Sequence, residues 1–80
     1  MLEELSSAKI VVGVRQLSRA IRSGSVRRAY LALDADPMLI DPLRSLCKEQ
    51  GIETVDAPSM AQLGKACGIS VKAAACGVLS

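Results

Sequence analysis

Short apolar runs and longer amphipathic stretches take turns along this chain, separated by glycine, proline and capping residues. Ile10-Val11-Val12 after Lys9 reads as a first strand, with Gly13 as the turn that follows. From Val14 to Ser23, Leu17, Ala20 and Ile21 share one side of a 100° helical wheel, the spacing of an amphipathic helix. Gly24, just beyond, supplies the left-handed residue that commonly stops a helix. Ala29-Tyr30-Leu31-Ala32-Leu33, bounded by Asp34, predicts a strand buried on both faces, the parallel-sheet signature. Asp36-Pro37 is an N-cap followed by proline at the first helical position, and Asp41-Pro42 repeats the signal. The expectation is a short turn over residues 37–40, then a main helix Pro42–Gln50 ended by Gly51.

Ile52–Val55 predicts a short, half-polar strand near a sheet edge. Ser59-x-x-Gln62 is a capping box opening a third helix, Met60–Cys67, closed by Gly68. Val71–Leu79 is alanine-rich, yet an apolar stretch after three strand–helix repeats fits best as a central strand, whose small side chains let helices pack closely. Leu2 to Ala8 predicts a short, weakly helical start. The order β-α-β-α-β-α-β gives an α/β fold, a three-layer α/β/α sandwich in a single domain over residues 1–80.

Composition narrows the function. Tyr30 is the only aromatic residue, so the core is aliphatic, and the base-stacking surfaces of RRM and OB folds cannot be built. There is no histidine, and Cys47, Cys67 and Cys76 are too few and too widely spaced for a structural zinc site. Small core residues are the simpler reading of the three thiols, with Cys67, near a helix end, left open as a reactive one. Neither G-x-G-x-x-G nor G-x-x-x-x-G-K-[ST] occurs, and no nucleophile–base pair stands out, so no enzyme, metal or cofactor is expected. Asp34 and Asp36 are better explained by a strand end and an N-cap than by a metal. The acidic Met-Leu-Glu-Glu-Leu start is unlike a signal peptide, and no apolar run nears the roughly 20 residues that span a bilayer. A cytoplasmic protein with no membrane partner is expected.

Charge is segregated along the chain. Lys9–Arg28 carries six basic side chains and no acid, whereas residues 29–59 carry six acids against Arg44 and Lys48. Residues 60–80 add Lys65 and Lys72 alone. Arg15, Arg19 and Arg22, at i, i+4 and i+7, form a cationic helix face opposite the apolar one. The helix start, Gly13-Val14-Arg15-Gln16, adds unpaired backbone N–H groups and the positive end of the dipole, which suits a phosphate. If this helix and the last third of the chain meet, one end of the molecule is basic and the other acidic. The plain alternative is a solvated face whose arginine stems cover apolar surface.

Several segments together resemble one family. Gly13-Val14-Arg15-Gln16-Leu17-Ser18-Arg19-Ala20, Ser23-Gly24, Leu33-Asp34-Ala35-Asp36-Pro37 and Leu63-Gly64-Lys65-Ala66-Cys67-Gly68-Ile69-Ser70-Val71 are similar to the kink-turn RNA-binding ribosomal proteins. These include archaeal and eukaryotic large-subunit ribosomal proteins and the core protein of box C/D guide particles. The likeness covers nearly the whole chain, and its length is closest to the small bacterial branch. It implies a four-stranded mixed sheet in the sandwich and a non-catalytic protein. The implied partner is structured RNA containing a kink-turn, ribosomal or riboswitch-like, rather than DNA, bound by a monomer.

The resemblance also implies site residues. Gly13 lets backbone approach RNA closely, while Arg15 and Gln16 stand where the family has Asn-Glu reading guanine edges of sheared G·A pairs. Arg19 takes a usual lysine position. The loop Gly68-Ile69-Ser70-Val71 packs apolar side chains against an extruded nucleotide, with Lys65 and Lys72 nearby for phosphates. For Val71, plain strand-start packing competes evenly with that role. Two other classes stay open: a small phosphate- or nucleotide-binding domain using the Gly13 helix start, and a protein-interaction module.

Overall fold

Among the described residues, seven elements follow the expected order: β1 (Ile10–Val12), α1 (Val14–Arg22), β2 (Val26–Ala32), α2 (Pro37–Gln50), β3 (Glu53–Ala57), α3 (Met60–Ala66) and β4 (Ala75–Leu79). They come from a computed structural model describing Leu5 and residues 8–80. The expected helical start over residues 2–8 lies outside that range, save Leu5, which is buried in the core, and Ala8.

The sheet runs β1-β4-β2-β3, with β4 antiparallel to both neighbours and β2 parallel to β3, so it is mixed. The last strand is central and β3 is an edge, as the sequence predicts. A Cβ built on Gly77 in β4 would meet Leu17 Cδ1 of α1 at 2.5 Å, so α1 lies directly on that face of the strand. Cys76, one residue earlier, points to the opposite face, where Cys67 at the end of α3 neighbours it. On the α1 side, α2 packs beside α1, and Arg44 of α2 reaches Asp56 of β3 at 3.0 Å. The layers are thus α1 and α2 on one face and α3 on the other.

Several boundaries differ from expectation. Strand β3 runs Glu53–Ala57 instead of Ile52–Val55, and β4 begins at Ala75 instead of Val71, because residues 71–74 are loop, tied to Met60 and Ala32 by the backbone of Ala73 and Ala74. Strand β2 begins at Val26, ahead of the polar Arg27-Arg28 pair that hid its start, with a register shift between Val26 and Arg28. Arg28 there pairs with Glu53 on the neighbouring strand. Helix α2 runs unbroken from Pro37 through Pro42, with no separate turn over residues 37–40. The Asp36 carboxylate caps it by accepting from Met38 N at 2.9 Å, worth about 1 kcal/mol in such caps. The buried stripe Ile40, Leu43, Cys47 crosses Pro42 without a change of phase. Pro42 itself is exposed, so water can satisfy the carbonyl its missing N–H leaves open.

Cys47 and Cys76 are fully buried, and burial raises both thiols above their ordinary range. Arg44 partly offsets this at Cys47, whereas the Cys67 thiol raises Cys76 further. Little thiolate therefore forms at either near neutral pH. Titrating the folded protein with a disulfide reagent at pH 8 should label half-buried Cys67 alone. All three thiols should react after unfolding; early reaction of a second thiol would contradict the packing.

Candidate nucleic-acid interface

Four chain crossings meet at one end of the sheet: the end of β1, the start of β4, and the ends of β2 and β3. Gly13 sits there as the residue before α1, with φ 108°, a conformation that glycine alone adopts readily. Its N–H donates to the Ala75 carbonyl at 2.9 Å, tying the start of α1 to the start of β4. The Gln16 side chain folds back over it, so a Cβ at Gly13 would stand 2.6 Å from Gln16 Oε1.

The loop over residues 67–74 reaches the same place from α3. Ile69 N donates to the Gly64 carbonyl at 3.1 Å. The Val71 carbonyl then lies against Gly64, where any Cβ would overlap it. Ala73 N donates to Met60 O at 3.0 Å, and Ala32 N to Ala74 O at 2.9 Å. Residues 68–72 are exposed and held against α3 at Gly64, while the far stem is fixed by the Ala73–Met60 and Ala32–Ala74 hydrogen bonds.

Of the sequence-predicted residues, Gly13, Val14, Arg15 and Gln16 lie at this end, where the Gly13–Ala75 hydrogen bond joins them to the start of β4, the strand that the loop carrying Ile69, Ser70, Val71 and Lys72 leads into. Val71 is 67% exposed and Ile69 36%, so Val71 belongs to the open loop and not to the core. Arg15, Arg19 and Arg22 are exposed along α1. Together with Val14, Ser18 and Leu39 they line a cleft of about 590 Å³ beside α2. Arg22 stands two turns from Arg15, about 10 Å along the axis, and so lies away from the loop. Lys65, in the last turn of α3, belongs to the other helical layer.

Two features escaped sequence reading. Leu33, expected inside the buried strand, instead lies just past β2 and is 63% exposed, and Met38 at the start of α2 is 81% exposed, so both put apolar side chains at this end of the sheet. An apolar residue just past a strand and another just past an Asp-Pro cap are the signals that mark them. The expected split into one basic and one acidic end is not met, because Asp34 and Asp36 follow β2 and sit at the end where α1 begins. Both acids are engaged with backbone: Asp36 accepts from Met38 N, and Asp34 Oδ1 from Met60 N at 2.7 Å. The cationic surface is a face of α1 rather than a pole of the molecule.

A family model described as "Ribosomal protein L7Ae/L30e/S12e/Gadd45 family" matches residues 2–80. The chain belongs to this family. Among its relatives, an "RNA-binding protein" of Bacillus pumilus is 38% identical over 78 residues, 96% of this chain and 95% of that one. The "Large ribosomal subunit protein eL8" of Nitrosopumilus maritimus is 33% identical over 75 residues, 92% of this chain and 59% of the longer protein. The solved structure of a "Giardia lamblia 15.5kD RNA binding protein" superposes with a TM-score of 0.88 at 26% identity, covering 99% of this family member and 68% of that chain. The resemblance read from the sequence motifs is met, and so is the sandwich fold. No helix among the described residues is long and apolar enough to cross a membrane.

Proposed function

We propose that this family member is a non-catalytic, cytoplasmic RNA-binding protein that recognises kink-turns as a monomer. The observation that carries the reading is the Gly13–Ala75 hydrogen bond, which brings the α1 start and its arginine face to the start of the strand that the exposed 68–72 loop leads into. Relatives along the whole chain named as RNA-binding proteins support it.

An ordinary A-form major groove is too deep and narrow for side chains, so base readout by a helix start requires distorted RNA. A kink opens the groove. Gly13 then lets the backbone approach, and Arg15, Arg19 and, farther along, Arg22 lie against phosphates, with Lys65 and Lys72 flanking the other strand. Val14 packs behind the contact. The Watson–Crick edge of guanine donates, so Gln16 must present its carbonyl oxygen to read it. Ile69, Ser70 and Val71 cover an extruded base. Ribosomal RNA and riboswitch-like RNA both contain targets of this kind.

Titration with a kink-turn RNA and a straight duplex of equal length tests the reading, with clear preference for the kink-turn expected. Equal binding to both, or tighter binding to a mononucleotide, would sink it. Gln16→Ala should erode the discrimination for G·A pairs by about 1–3 kcal/mol if its edge contact resembles groove readout elsewhere. An unchanged ratio between G·A and substituted pairs would remove Gln16 from the readout.

A further inference from the structure

Asp34 is an acid at the end of the molecule where RNA is proposed to bind, and simple electrostatics gives it no reason to be there. Its hydrogen bond does. Asp34 Oδ1 accepts from Met60 N at 2.7 Å, a charge-assisted contact across 26 residues of sequence. The carbonyl of the same Met60 accepts from Ala73 N at 3.0 Å, and Ala74 O accepts from Ala32 N at 2.9 Å. Residues 32–34, Met60 and residues 73–74 thus form a closed ring of hydrogen bonds around the far stem of the 68–72 loop. Within that ring the Met60 backbone is the bridge, its N–H held by β2's end and its carbonyl by the loop's stem. Ser59, with its own hydroxyl accepting from Gln62 N at 3.1 Å, already caps α3. The helix therefore does not need Asp34 for its cap, and the second bond serves to register α3 against β2.

We infer that Asp34 is a positioning residue for RNA recognition: through Met60 it sets where α3 and the 68–72 loop stand relative to the start of α1. This rests on the proposed RNA reading of that sheet end. The inference makes a prediction opposite in sign to charge alone. Removing an anion beside a bound polyanion should tighten binding. Removing a positioning acceptor should weaken it.

The test uses the full chain, a kink-turn RNA oligonucleotide, four single variants and one double variant. Asp34→Ala loses the acceptor and should bind about tenfold more weakly despite its more favourable charge. Asp34→Asn keeps a carbonyl oxygen for Met60 N and should bind at least as tightly as wild type. Met60→Pro removes the donor instead, at the first helical position, where proline is accepted, behind a Ser59 already extended at φ −157° and ψ 160°. It should match Asp34→Ala, while Met60→Ala, which keeps the N–H, should bind more tightly than Met60→Pro. In the Asp34→Ala background Met60→Pro should cost nothing further, since both break one bond.

Equal affinities for Asp34→Ala and Asp34→Asn, or for Met60→Pro and Met60→Ala, would overturn the inference. A loss in Asp34→Asn with Met60→Pro unaffected would also overturn it, marking a direct acid–RNA contact. Should Asp34→Ala not fold, the Met60 pair decides alone. Amide exchange over residues 69–73 gives a readout without RNA, and it should quicken in Asp34→Ala and Met60→Pro only. If wild type shows no preference for the kink-turn, the RNA reading has failed. If wild type prefers it and the variants do not differ, only the positioning role has.

Discussion

Replacing Arg15, Arg19 and Arg22 together by glutamine is expected to flatten the salt dependence of RNA binding by about two to three units of log–log slope, at about 0.7–0.9 for each phosphate no longer neutralised. Between 50 and 200 mM salt the triple variant should then lose about 20- to 40-fold less affinity than wild type does. The expectation follows from the helix itself. All three side chains are exposed on α1, a helix that carries no acid to neutralise them. Glutamine keeps a similar stem and a similar helix propensity, so the thermal midpoint should hardly move. Phosphate contacts position the partner without reading its bases, so the preference for a kink-turn over a duplex should survive in ratio while both affinities fall. Arg19→Gln alone should show about a third of the change in slope. A triple variant with the wild-type slope would mean that this face is ordinary solvated surface, and the proposed binding side of α1 would be ruled out.

How far the fold was readable depends on which interactions are local. Asp36-Pro37, Ser59-x-x-Gln62 and the glycines after each helix are contained within a few residues, and the two caps they predict form with the expected donors. The same locality misleads at Asp41-Pro42. That dipeptide satisfies the rule for a helix start, but the helix is already running, held by the Ile40–Leu43–Cys47 stripe against the core. Charge failed for the opposite reason. A tally along the chain places acids in the middle third, but folding returns the end of β2 to the start of α1, and Asp34 finds its partner at Met60. Leu33 and Met38 show the same limit, since exposure is a property of what fails to cover a residue. The proposed site was read as two motifs; what joins the α1 start to the strand that follows the loop is the Gly13 to Ala75 bond, a contact between residues 62 positions apart that no local pattern announces.

Gly64→Ala is expected to damage both stability and RNA binding, and the comparison that isolates the two lies elsewhere in the same chain. A methyl group at Gly64 would overlap the Val71 carbonyl oxygen and stand 2.9 Å from Lys72 Cα. Both obstacles are backbone, so no rotamer change relieves them, and the 69–72 segment must lift off α3. Overpacking of this kind costs about 1–3 kcal/mol. In a domain of this size the melting midpoint should fall by about 4–8 °C per kcal/mol. Because the displaced segment carries Ile69, Ser70 and Val71, kink-turn affinity should drop further than the loss of folded protein explains. Gly51→Ala supplies the control. Gly51 ends α2 at φ 70° with open space around its Cα, so alanine there adds about 1–2 kcal/mol of left-handed strain and no clash. Its midpoint should fall while its affinity for RNA, measured well below that midpoint, stays at the wild-type value. If Gly64→Ala likewise binds RNA normally once folded, the loop takes no part in the contact, and recognition must lie on the α1 face alone.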